Sequence, residues 1–174
     1  MTKDTDIRFA QARGIVAKER ERVMAERTKG WSADPESACL LKYFNAEADA
    51  LLALWTNLSP DDTEAVDAIV GGLIDPERES DPVLEARRRR YNKAEKYLSA
   101  RGLINGEYAK VSVKRMLEKE KETPCPALVA YLDAKARALS VLEDAFLGGT
   151  GAAAIEAVMG ECIAPLPSKK RRHG

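Results

Sequence analysis

The sequence predicts a mostly α-helical fold: a multi-helix bundle with long antiparallel helices, and room for one short β-ribbon near residues 103–113. Three observations lead there. Apolar residues recur at spacings of three and four along most of the chain, the repeat of a helix with one buried face. A capping residue followed directly by proline occurs at Asp34-Pro35, Ser59-Pro60 and Asp81-Pro82, and proline suits the first helical position. Charged residues make up 32% of the 174, above the globular average of about 25%, as long helices with solvated faces require.

The first predicted helix runs from about Asp6 to Lys29 and stops at Gly30. Its apolar positions are Phe9, Ala12, Val16 and Val23, while Glu19 and Glu26 fall where further apolar residues belong. With Lys18 to Arg22 fully charged, this helix is expected to project or to dock on a partner. The second begins at Asp34-Pro35 and carries Leu41, Phe44, Ala48, Leu51, Trp55 and Leu58 in alternating steps of three and four. That seam is shorter than the three or four heptads of a free coiled coil. Leu40 and Leu52 widen it, so it packs either into the chain's own core or against another subunit. The oligomerisation candidates are Leu41, Phe44, Leu51 and Trp55, with Leu132 and Leu139 from the last long helix.

Ser59-Pro60 opens a third helix with Val66, Ile69, Val70 and Leu73 inward. Asp61, Asp62 and Glu64 fall in its first turn, where the helix dipole favours negative charge, so they need no metal. A polar loop over 75–81 leads to a fourth helix from Asp81-Pro82 to about Arg101, with Leu84, Tyr91, Ala94 and Leu98 inward and Gly102 as its stop. Asn105-Gly106 is a hairpin signal, and Val111 and Val113 alternate as in a strand. A short charged helix over about 113–122 is broken by Pro124 and Pro126. The last long helix spans about Ala127 to Leu147 with Leu128, Leu132, Leu139, Leu142 and Phe146 on its apolar side. Gly148 to Gly151 end it, and a short helix from Ala152 to Cys162 leads into the tail. The domain reading is a charged helix over 1–30, a helical core over 34–162 and a disordered basic tail over 163–174.

The net charge of zero hides a segregation. Residues 34–82 hold 12 acidic and 2 basic side chains; residues 83–121 hold 12 basic and 5 acidic. Opposite blocks side by side imply mutual contact or separate partners. The densest feature is Arg87, Arg88, Arg89 and Arg90, continued by Lys93 and Lys96. Four successive arginines cover most of a helix circumference. They read either as a phosphate-binding surface driven by counterion release or as a solvated face paired with the acidic block. Lys169, Lys170, Arg171 and Arg172 form a second cluster, either a DNA-gripping arm or a solubilising end.

Catalytic chemistry finds little support. The one histidine, His173, lies in the tail, which leaves no Cys-His or Ser-His pair and no histidine-containing metal site. The glycines at 148–151 lack the lysine of a phosphate loop and follow a helix rather than a strand. Cys39, Cys125 and Cys162 show neither metal nor redox spacing and read as reduced thiols of a cytoplasmic protein. No apolar run is long enough to span a bilayer, and the polar N-terminus is no secretory signal. No cofactor or metal is expected, and the chain is read as a non-enzyme.

Residues 47–159 resemble the small terminase subunits of tailed phages. The likeness is one of spacing: Ala50, Leu54, Trp55 and Leu58 before an acidic stretch; then Tyr91, Ala94 and Leu98 closed by Gly102. After a variable insert come Pro126-Ala127-Leu128 and a helix with Ala134, Leu139 and Leu142 that ends at Leu147-Gly148. Where the family shows a Thr-Pro and Ser-Arg segment, this chain has Gly149-Thr150-Gly151-Ala152. The resemblance implies a ring-like homo-oligomer that binds double-stranded DNA and recruits and regulates the large terminase subunit, an ATPase and nuclease, in the host cytoplasm. The alternatives are a helical protein-interaction module without DNA binding, such as a scaffold or host-factor inhibitor, and a phage or plasmid DNA-binding regulator.

Overall fold

A computed structural model of the chain describes residues 2–29, 38–148, 151–164 and 166. The fold is all-α. Its helices are α1 (Lys3–Arg27), α2 (Ala38–Asn57), α3 (Thr63–Ala68), α4 (Pro82–Arg90), α5 (Lys93–Lys119), α6 (Pro126–Leu147) and α7 (Ala152–Met159), with a π-helical turn, Ile69–Leu73, continuing α3.

Two helices form the centre. α2 contributes Leu40, Tyr43, Phe44, Ala48, Leu51 and Leu54, and α6 contributes Leu128, Tyr131, Leu132, Leu139, Leu142 and Phe146, all buried. α1 covers α2, α5 covers α6, and α7 packs on α5. The N-terminal helix, expected to project or to dock on a partner, instead lies on the chain's own α2 with Ala12, Val16 and Val23 buried. Ion pairs hold it: Arg8 to Asp67 at 2.6 Å and Lys18 to Glu77 at 3.4 Å. Two acids of the acidic stretch, Asp67 and Glu77, thus pair with α1 and not with the arginine block. The core continues to Ile163 and Leu166, and the Leu166 N–H donates to Glu107 Oε2 at 2.9 Å.

The β-ribbon expected at 103–113 is absent: these residues lie inside α5, which runs unbroken through Gly102, Asn105 and Gly106 and absorbs the short helix expected at 113–122 as far as Lys119. The break falls earlier, at Tyr91. Tyr91 is extended, and Asn92 and Glu95 form a reciprocal capping box that starts α5. The inner face shifts with it. Ala100, Ile104, Glu107, Val111 and Glu118 point inward, whereas Ala94 and Leu98 are exposed. The third helix likewise starts later than Ser59-Pro60, at Thr63; Asp62 turns back to accept from the Ser59 N–H at 3.0 Å. Within the π-helical turn Gly72 takes φ 105°, where a side chain would strain the backbone. The Asp34-Pro35 cap lies outside the described residues.

Candidate nucleic-acid interface

The arginine block sits on α4, a nine-residue helix with no buried side chain. Asp81 caps it, accepting from the Val83 N–H at 2.9 Å, and Pro82 occupies its first turn. Arg87 to Arg90 form its last turn, where cations are favoured by the carbonyl end of the helix dipole. Half-buried Leu84 packs against the core. The loop before α4 is tied to the end of α7: the Asp81 N–H donates to the Glu161 carboxylate at 3.1 Å, and Arg78 Nη2 donates to the Glu161 carbonyl at 3.1 Å. Glu161 adopts a left-handed φ of 62° to make these contacts.

The structure gathers Arg87, Arg88, Arg89, Arg90, Lys93 and Lys96 at the corner between α4 and α5, and it divides them into two groups. Arg88 Nε and Lys96 Nζ both donate to Glu156 of α7, Arg88 at 2.9 Å. These bonds, Lys96 first and then Arg88, hold the Glu156 carboxyl below its usual range. The pair anchors α4 and the start of α5 onto α7. Arg89 meets Glu85 at 2.8 Å within α4. Arg87, Arg90 and Lys93 are exposed and, among the described residues, form no ion pair. Between the arginine block and the acidic stretch no described ion pair forms; further along the basic segment, Lys121 meets Glu64.

The remaining candidates lie elsewhere. Lys169, Lys170, Arg171 and Arg172 fall outside the described residues. Phe44, Leu51, Leu132 and Leu139 are buried in the chain's own core at 0–1% exposure, Leu41 is half-buried, and Trp55 stands 38% exposed. Cys125 and Cys162 are buried free thiols and Cys39 is half-buried; burial pushes the Cys162 thiol up to about 12. Among the described residues no group of histidine, cysteine and carboxylate side chains is placed to hold a metal. Nor is any described helix long and apolar enough to cross a membrane.

A buried polar cluster, which the sequence pattern does not announce, joins α1, α2 and α6. Lys135 Nζ donates to Glu47 Oε1 at 2.8 Å, beside Tyr43 and Tyr131. Glu19 accepts twice from Arg22, at 2.6 and 3.0 Å, and lies 3.6 Å from Arg78. A cavity of about 20 Å³ touches Glu19, Arg78, Tyr131 and Lys135, room for a single water. Its one signal in the sequence is Glu19 on the apolar stripe of α1. Glu47 and Lys135 give none, because each sits among helix-favouring residues as a solvated charge would.

Searches of protein-family models, curated proteins and solved structures return no match to this chain.

Proposed function

We propose that the chain is a non-catalytic DNA-binding adaptor whose α4–α5 corner grips the phosphate backbone. The observation that carries this is the division of the basic cluster. Arg88 and Lys96 are used to fasten α4 to the body, while Arg87, Arg90 and Lys93 stay exposed with no acidic partner among the described residues. A helix with no buried side chain contributes little to the core, so its concentration of arginine is best explained by what it meets outside. Unpaired cations on a firm support bind polyphosphate by releasing counterions. The resemblance to small terminase subunits supplies the finer reading: an oligomeric recognition subunit of a viral genome-packaging motor. In the host cytoplasm it binds double-stranded DNA and regulates a large ATPase and nuclease subunit.

The test is a DNA-binding titration across salt. Replacing Arg87, Arg90 and Lys93 by Ala leaves the Glu156 anchor intact. For every phosphate that the variant no longer neutralises, the log–log salt dependence is expected to flatten by about 0.9. Unchanged affinity and slope in the triple variant would refute the corner as the DNA site. A second reading, a protein-interaction module without DNA binding, draws on a different observation: the outer face of α5. Leu98, Val113, Met116 and Leu117 there are each more than half exposed. It predicts no DNA binding at physiological salt.

A further inference from the structure

A second surface lies away from the basic corner. α1 and α2 leave between them a groove of about 410 Å³. Val16, Ala17, Met24, Leu52 and Trp55 give it an apolar lining, and Arg20 and Glu21 give it polar edges. Leu52 is 41% exposed and Trp55 38%, high for residues of a helix so close to the centre of the fold. Arg13 lies beside the groove with its guanidinium carbon 3.8 Å from the centre of the Trp55 ring.

The charges of α1 show what the groove lacks. Arg8, Lys18 and Arg22 each reach a carboxylate. Arg13 and Arg20 reach none among the described residues, and the Nε of each is buried without an acceptor. Arg13, Ala17, Arg20 and Met24 follow one another in steps of four, three and four, so they share a face of α1. From Arg13 to Met24 that face is roughly 16 Å long, about three helical turns.

We propose that this groove receives an amphipathic helix of a partner protein, with apolar side chains on its inner face and carboxylates about one heptad apart along its edge. The apolar side chains lie on Leu52, Met24 and the ring of Trp55, an aromatic anchor of the kind that concentrates binding energy. The carboxylates pair with the outer Nη groups of Arg13 and Arg20, which have no acidic partner among the described residues, and bidentate pairing with guanidinium fixes register as well as charge. Glu21, also on the lining, disfavours a partner acidic all round and so selects an amphipathic one. The site shares no residue with the α4–α5 corner, and the proposal does not depend on DNA binding.

The chain carries two tryptophans, so Trp31→Phe leaves Trp55 as the sole indole reporter. Two helical peptides of about 18 residues, five turns, serve as probes: one with leucines on one face and two glutamates one heptad apart, the other with lysines in place of those glutamates. The glutamate peptide is expected to shift Trp55 emission and to bind at least about tenfold more tightly than its sibling. The double variant Arg13→Glu/Arg20→Glu is expected to reverse that preference, a gain that misfolding cannot imitate. Read by the anisotropy of a dye on the peptide, Trp55→Ala is expected to weaken the glutamate peptide by at least about tenfold while the helical circular dichroism of the chain stays unchanged. Equal affinity for both peptides, no binding of either, or a preference that survives the charge reversal would overturn the proposal. So would self-association of the free chain that Trp55→Ala abolishes, which would assign the groove to a second copy.

Discussion

Lys135 and Glu47 meet at 2.8 Å with both side chains at or below 3% exposure, and Glu47 Oε2 has no hydrogen-bond partner. Burial alone pushes the Lys135 ammonium down, but Glu47, Tyr131 and Tyr43 outweigh it and hold the group well above its ordinary value. An unpaired buried charge is the costlier alternative, so Lys135→Met is expected to destabilise the fold by about 3–5 kcal/mol. The double variant Glu47→Leu/Lys135→Met should recover most of that loss, as a buried pair replaced by apolar residues often does. Urea unfolding of the three proteins measures both numbers. The pH dependence follows from the raised folded value. The pair's contribution is fully present below the unfolded lysine value of about 10.4 and is lost as pH rises through the higher folded one. The wild-type denaturation midpoint should therefore fall more steeply in strong alkali than that of the double variant. Tyr43, pushed up by burial, adds a loss of the same sign to both proteins.

At the scale of the element, α5 shows where local signals yield to packing. Asn105-Gly106 and Gly102 are genuine turn and stop signals, yet Ala100, Ile104, Glu107 and Val111 keep helical spacing straight across them, and burial against the neighbouring helices decides. The Asn92–Glu95 box that starts α5 is legible in the sequence, but the apolar run through Tyr91, Ala94 and Leu98 masks it. α2 follows its sequence pattern more closely. Phe44, Ala48, Leu51 and Leu58 of its heptad seam are buried, but the packed stripe is wider and also takes in Leu40, Tyr43, Glu47 and Leu54. Trp55 falls outside it. A seam gives the spacing of a buried face without its centre, because contact with both α1 and α6 broadens what is covered. The glycines of α5 make a prediction at this scale. Gly102 and Gly106 are helical and exposed, and a Cβ at either would meet nothing within 4 Å. With no crowding to oppose the helix propensity of alanine, Gly102→Ala is expected to stabilise the fold by about 0.5–1 kcal/mol. A thermal melt that moves down would show that Gly102 departs from regular helix or meets a neighbour within the chain, and would refute the prediction.

For the whole molecule, the all-α class is legible because it rests on repeats of three and four summed over the entire chain. The candidate site is legible only as a cluster of like charge. Which arginine fastens α4 to α7 and which stay unpaired depends on Glu156, more than sixty residues away, and no local pattern encodes that contact. The same logic governs assembly. Phe44, Leu51, Leu132 and Leu139, the apolar residues most suited to a subunit seam, are enclosed by the chain's own helices, and one continuous core runs from Ala12 to Leu166. Such a core is complete without a second copy, so folding should not be coupled to association. The urea midpoint is expected to stay constant over a hundredfold range of protein concentration, whereas an obligate oligomer would be stabilised by mass action as concentration rises. Constancy would mean that any ring or dimer is built from folded subunits through faces left outside the core, such as the outer side of α5 and the groove beside Trp55. A midpoint that climbs with concentration would mean that part of this core opens to form the seam. Phe44 or Leu132 would then exchange a neighbour within the chain for one in a second copy.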